Sequence, residues 1–154
     1  PHFQALPTET VRQIRNDRRD AYGAPVDRQI SNGDGIPCRH CLKQVPEGAA
    51  YLILAHRPFD SLHAYAETGP IFVCADNCAR WPGQAVPPIL STSPDYLLKA
   101  YGADHRIIYG TGAVVPAKTV NAYATDVLAD PRVAFVDVRS ARNNCYQMRI
   151  CRTP

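Results

Sequence analysis

Val133-Ala134-Phe135-Val136-Asp137-Val138-Arg139-Ser140-Ala141-Arg142-Asn143-Asn144-Cys145-Tyr146-Gln147-Met148-Arg149-Ile150-Cys151-Arg152 is the stretch that decides the fold of this chain. Val133 to Val138 is almost continuously apolar, the pattern of a central strand buried on both faces. Ser140 to Asn144 turns the chain and Cys145 to Arg152 returns as a last strand, so the stretch predicts a C-terminal β-hairpin. Just upstream, Pro116 opens a helix with Ala117, Val120, Ala124, Val127 and Leu128 as its apolar stripe, and Asp130-Pro131 stops it. A helix beside a hairpin argues for an α+β domain with a mixed or mainly antiparallel sheet.

Working outward, Pro7-Thr8-Glu9-Thr10 begins a helix that runs to about Tyr22, with Val11 and Ile14 on its apolar side and Gly23-Ala24-Pro25 ending it. Ala50 to Ala55 and Pro70 to Cys74 read as strands. Pro94 to Tyr101 reads as a short helix capped by Ser93, because Leu97, Leu98 and Tyr101 recur at helical spacing; Arg106 to Val115 reads as a strand. Two or three helices in a single domain spanning residues 1 to 154 are expected. At 154 residues the chain is long enough to bury about two-thirds of its unfolded surface. Its 45% hydrophobic and 20% charged composition excludes disorder and a coiled coil. The 14 prolines predict many turns and short elements.

Two close cysteine pairs carry the chemistry: Cys38 and Cys41 in Pro-Cys-Arg-His-Cys, and Cys74 and Cys78 in Cys-Ala-Asp-Asn-Cys. Thiolates bind Zn²⁺ well, and four of them fill its tetrahedron without leaving a position for a reaction. Residues 38–78 are therefore the candidate zinc-binding subregion, with Cys38, Cys41, Cys74 and Cys78 as ligands of a structural zinc. The first pair follows the turn-rich loop Ser31 to Pro37, and the second falls where a strand gives way to a turn or short helix, the element order of a treble-clef zinc module. Glycine often follows the second cysteine of a zinc knuckle, whereas Leu42-Lys43 stand here, and His40 or His63 can replace a thiolate. Arg39 and His40 can offset the charge of about −2 that four thiolates and one Zn²⁺ carry. Plain buried thiols are the rival reading, and disulfide or redox chemistry the third.

Cys145 and Cys151 lie about 20 Å apart along one predicted strand, too far for a disulfide, whose Cα atoms lie about 5.5–6 Å apart. Cys145 follows the polar turn of Arg142, Asn143 and Asn144, a setting that lowers a thiol pKa. A thiol-dependent enzyme using Cys145 or Cys38 in a cleft with Arg142, Asn143 and Glu67 is thus the alternative to a binding or accessory role. Glu67 is a candidate general base only if the metal keeps an open position. Arg139, Arg142, Asn143 and Asn144 are anion-binding candidates. A net charge of +3 with arginines grouped at Arg12, Arg15, Arg18 and Arg19 and near the end is weak support for nucleic-acid binding; the first group reads as a solvated helix face. The uncharged stretch Trp81 to Ser93 carries Pro82, Pro87 and Pro88 and does not read as a membrane span. Pro1 to Pro7 lacks the basic start and apolar run of a secretory signal, so a cytoplasmic location is expected.

Gly35-Ile36-Pro37-Cys38-Arg39-His40-Cys41-Leu42, Tyr65 to Val73 and Val138 to Gln147 together resemble the bacterial family called domain of unknown function 1203. The resemblance spans nearly the whole chain. It implies a bacterial source and no activity. It also implies that Cys38-Arg39 and Cys145-Tyr146 recur broadly, that Cys41 and Cys78 belong to a subset, and that histidine often stands at position 74, a metal-compatible exchange.

Overall fold

Leu52 and Leu54 alternate with Tyr51 and Ile53 along a strand, and this two-residue period builds the first of two antiparallel sheets in the computed structural model, which describes every residue from Pro1 to Pro154. The elements in chain order are β1 (His2–Gln4), α1 (Thr8–Asp17), β2 (Asp27–Ile30), β3 (Ala50–His56), β4 (Gly69–Cys74), β5 (Asp95–Tyr101), β6 (Ala113–Pro116), α2 (Val120–Leu128), β7 (Phe135–Ser140) and β8 (Tyr146–Cys151). They form two compact units, one of Ala5–Trp81 and the other of Pro1–Gln4 with Pro82–Pro154. The fold is α+β, and every strand pair is antiparallel. No helix is long and apolar enough to cross a membrane.

In the Ala5–Trp81 unit the strand order is β2-β3-β4. Leu52 pairs with Val73 and Leu54 with Ile71, and all four are buried, so this face is core. Tyr51, Phe72 and Cys74 share the opposite face, where the Tyr51 and Phe72 rings meet edge to face at 5.4 Å. Helix α1 buries Val11 and ends at Arg18, whose φ of 54° is left-handed and whose N–H bonds to the Ile14 carbonyl at 3.0 Å. The expected continuation to Tyr22 is instead a turn held by Asp20, whose carboxylate accepts from the backbone of Tyr22 and Ala24.

The second unit is a five-stranded sheet of order β1-β8-β7-β5-β6, with β7 at its centre as the apolar run predicts. Val136, Val138, Ile150, Met148, Leu98 and Ala100 share one face through the register of β5, β7 and β8. Helix α2 runs beside β5 and β7 and buries Val120, Ala124 and Leu128. Arg152, on the side of the strand that Ile150 occupies, donates to the Leu128 carbonyl at 2.7 Å and ties the helix end to β8.

The other face of that sheet carries a buried carboxylate. Asp137 on β7 is 0% exposed and receives a two-pronged hydrogen bond from Arg149 of β8, at 2.7 and 3.0 Å. The Arg149 guanidinium also lies 3.6 Å over the Phe135 ring. Burial pushes the Asp137 carboxyl up, outweighing the pull of Arg149, Arg139 and Lys99 in the other direction. Burial opposes the Arg149 charge, and the hydrogen bonds and charge of Asp137 overcome it, leaving that group above its ordinary value.

Two expected elements are corrected. Residues 95–101 are strand β5 and not a helix. Tyr96, Leu98 and Ala100 alternate inward, and pairing with both β6 and β7 overrides the helical spacing of Leu97, Leu98 and Tyr101. Of the predicted strand 106–115, only the end is strand. His105 at φ 64° and Gly110 at φ 92° bend the chain, Ile107 makes a lone bridge to Tyr101, and pairing resumes at Ala113.

Candidate metal centre

Cys38 and Cys41 stand on a tight reversal of the chain. The Leu42 N–H bonds to the Cys38 carbonyl at 2.9 Å, the Cys38 N–H to the Lys43 carbonyl at 3.0 Å, and the Val45 N–H to the Ile36 carbonyl at 2.8 Å. Leu42 makes the turn with φ 53°, a left-handed backbone that glycine would adopt without strain. The missing glycine is thus replaced by a strained leucine, kept because its side chain is 0% exposed in the core. Leu42→Gly is therefore expected to lower stability despite relieving the turn. Relief is worth about 1–2 kcal/mol, against about 2–5 kcal/mol for emptying a buried leucine site. A higher denaturation midpoint for the variant would refute this account of Leu42.

This turn lies along β4, where Cys38 bridges Phe72 and the Arg39 N–H bonds to the Phe72 carbonyl at 3.0 Å. Cys74 ends β4, and the chain then bends without forming a helix, so the treble-clef likeness stops at its last element. The Trp81 N–H bonds to the His40 carbonyl at 3.0 Å and holds the second cysteine loop against the first.

The four sulfur atoms of Cys38, Cys41, Cys74 and Cys78 all lie within 4.8 Å of one another, with Cys38 and Cys78 4.0 Å apart. A tetrahedron with metal–sulfur bonds of about 2.3 Å has edges of about 3.8 Å, so the cluster fits one cation. The 4.0 Å separation is about twice an S–S bond, and all six cysteines are free.

Hydrogen bonds to the sulfur atoms are unevenly shared. Cys38 Sγ accepts from the backbone N–H of His40 at 3.4 Å and of Cys74 at 3.2 Å. Cys78 Sγ receives Arg15 at 3.6 Å and lies 3.1 Å from His40 Nδ1, whose other nitrogen is 3.0 Å from the Thr8 hydroxyl. His40 therefore touches a sulfur of the cluster and lies outside the set of four cysteines; its partner Thr8 fixes the ring, as outer partners do at metal sites. His63 is engaged elsewhere, with Nδ1 accepting from the Tyr65 N–H at 3.2 Å and its ring edge to face with Phe59. Arg39 is buried, donating to the Pro37 carbonyl at 2.6 Å with its guanidinium 5.6 Å from the centre of the Phe72 ring.

Without a cation the four thiols share protons. Hydrogen bonding with Cys41, then Cys74, holds Cys38 down at about 6. Contacts with Cys38, Cys41 and Cys74, helped by His40, hold Cys78 below its ordinary value, and the contact with Cys38 pushes both Cys41 and Cys74 up. Cys38 and Cys78 are thereby the two of the four most disposed to be thiolate.

Arg15, expected with Arg12, Arg18 and Arg19 on a solvated helix face, instead reaches the cluster, and Thr8 carries no signal of its own in the sequence. Arg15 stands one helical turn after the buried Val11, so the helix turns it inward, and its Nε bonds to the Cys74 carbonyl at 3.0 Å. That spacing was the available signal. Cys145, Arg139, Arg142, Asn143 and Asn144 belong to the other unit. There Arg139 is buried and donates to the Asn144 carbonyl at 3.0 Å, and Arg142 pairs with Asp95 at 2.7 Å. Cys145 Sγ lies 3.7 Å from the Asn143 carbonyl. Glu67, half-buried in the Ala5–Trp81 unit, bonds through its N–H to the Tyr65 carbonyl at 3.0 Å.

The family described as "Protein of unknown function (DUF1203)" matches residues 35–152. The chain belongs to that family. The match takes in all four clustered cysteines as well as the buried Asp137 and Arg149. No curated protein and no solved structure matches the chain.

Proposed function

We propose that Cys38, Cys41, Cys74 and Cys78 hold one Zn²⁺ in a closed four-thiolate site that stabilises the Ala5–Trp81 unit, and that the protein has a binding or accessory role. The observation that carries this reading is the convergence of four sulfur atoms within 4.8 Å of one another. Four thiolates complete the tetrahedron, which argues against chemistry at the metal. The N–H donors on Cys38 and the Arg15 and His40 contacts on Cys78 offset the charge of about −2. Six free cysteines and a thiolate site suit a reducing, cytoplasmic setting.

The test is elemental analysis of protein purified without added metal, together with thiol counting. About one zinc per chain is expected, with Cys38, Cys41, Cys74 and Cys78 protected and Cys145 and Cys151 open to reagent. Four thiolates also suit iron, so a coloured, iron-bearing protein would replace zinc in this reading. Metal-free protein with all of its thiols equally reactive would end it.

A further inference from the structure

Helix α1 has little of its own to hold it. It is 10 residues long, Pro7 at its start gives no side-chain cap, and Val11 is its one buried residue. An isolated helix shorter than about 12–15 residues is marginal in water, so this one depends on what its inner face touches. Thr8, Val11 and Arg15 share that face over two turns. Thr8 Oγ1 lies 3.0 Å from His40 Nε2, and the same ring reaches Cys78 Sγ at 3.1 Å through Nδ1. Arg15 donates from Nε to the Cys74 carbonyl at 3.0 Å and from a terminal nitrogen to Cys78 Sγ at 3.6 Å. Both fastenings thus end on the second cysteine pair, directly or through His40. Cys78 belongs to residues 75–81, which form neither helix nor strand and expose Asp76, Asn77, Ala79 and Arg80. Its sulfur is where that stretch meets the helix. Backbone bonds tether the flanks of α1, from the Leu6 N–H to the Arg39 carbonyl at 3.0 Å and from the Val26 N–H to the Arg18 carbonyl at 3.1 Å, so the helix can undock while its ends stay attached.

Resting on the zinc reading above, we propose that α1 and the cation hold each other in place, with Arg15 as the positioning residue between them. Metal on Cys74 and Cys78 fixes the acceptors that Arg15 and His40 meet, and the docked helix in turn retains the metal. Coupling of this kind is reciprocal, so each strengthens the other by the same factor. The planar fork of Arg15 spans the backbone oxygen of one ligand residue and the sulfur of the other, which ties the spacing of that pair to docking of the helix. Loss of metal frees the Cys78 sulfur, undocks α1 between its tethers and exposes Val11 and Ile14. The core of Leu52, Leu54, Ile71 and Val73 between β3 and β4 stays packed.

Hydrogen exchange read by mass spectrometry compares zinc-loaded protein with protein stripped by EDTA under a reductant. Peptides covering residues 8–17 and 75–80 are expected to exchange on the order of tenfold faster after stripping, the lower end of what partners just outside a metal's ligands contribute. Peptides within β3 and β4 keep their protection. Arg15→Met is expected to give loaded protein the same faster exchange in α1 and to raise the zinc dissociation constant, measured against a chromophoric chelator, by a similar factor. Arg12→Met is the control, since Arg12 pairs with Glu9 on the exposed face of the helix, and it should leave zinc affinity unchanged. Equal exchange of α1 in loaded and stripped protein overturns the proposal, as does protection lost evenly across residues 5–81. So does an Arg15→Met variant whose helix is freed while its zinc affinity stays at the parent value, the result for a merely structural arginine. Metal content is measured beforehand: absence of metal defeats the zinc reading itself, whereas bound metal with an indifferent helix defeats only this inference.

Discussion

Under the zinc reading, Cys38→Ser is expected to abolish metal binding and to destabilise the Ala5–Trp81 unit by about 4–5 kcal/mol or more, the range in which loss of a metal falls. Among the four cysteines this one carries a second load. Its sulfur takes the N–H groups of His40 and Cys74, so it fastens the turn that bears the first pair to the strand that ends in the second. Serine oxygen is a poorer zinc ligand, and its shorter bond to Cβ draws the acceptor away from both donors. Cys78→Ser should cost less, because the partners it loses are side chains with a second hydrogen bond of their own, Arg15 to the Cys74 carbonyl and His40 to Thr8. The comparison needs metal content and urea midpoints for the two variants and the parent. Equal metal and equal midpoints in Cys38→Ser would refute the structural role.

Arg149→Met is the second large expectation, at about 3–5 kcal/mol, the cost of breaking a buried pair and leaving one charge behind. Asp137 is 0% exposed and both of its oxygens are met by Arg149. The remaining carboxylate escapes by taking a proton. The sign of the pH dependence follows from the direction of its shift. Burial already holds Asp137 above its ordinary value, so the folded state binds the proton more tightly than the unfolded state does. A raised acid contributes stability that is fully present below its unfolded pKa of about 3.9 and is lost as pH rises toward its folded pKa. Removing Arg149 takes away a lowering influence, widens that window, and makes the deficit grow with pH across it. Denaturation of parent and variant from acid to neutral pH checks this. A deficit that shrinks as pH rises would sink it. Replacing both partners, with Asp137→Leu and Arg149→Met together, should recover much of the loss.

The features most readable in the sequence were those whose signal is local. Val133 to Val138 announced a central strand through its apolar run, and β7 lies at the centre of its sheet. Val120, Ala124 and Leu128 announced α2 through their spacing. Cysteine pairs announced a cluster, since few arrangements other than a shared cation need thiols so spaced. Strand β5 was misread because Leu97, Leu98 and Tyr101 fit a helical period as well as a strand, and only pairing with β6 and β7 decides between them. β1 and β2 are three and four residues long, too short to carry a period of their own. The groups around the sulfurs were hidden for a different reason. Arg15 meets Cys78 across 63 positions, and Thr8 meets His40 across 32, distances over which residue spacing carries no information. Likewise Asp137 and Arg149 occur in the most telling stretch, yet only the register of β7 with β8 places them side by side.

Strand β1 has its partner in β8, and between them the chain first builds the whole unit that carries the sulfur cluster. A ribosome works from the N-terminus, so residues 5–81, with all four clustered cysteines, are made while most of the larger sheet has yet to be synthesised. Phe3, opposite Ile150 in that sheet, must wait for its neighbour until almost 150 further residues have been added. The order of synthesis thus brings the four sulfurs together before the sheet closes, so under the zinc reading a shortage of metal would be felt early, on the ribosome.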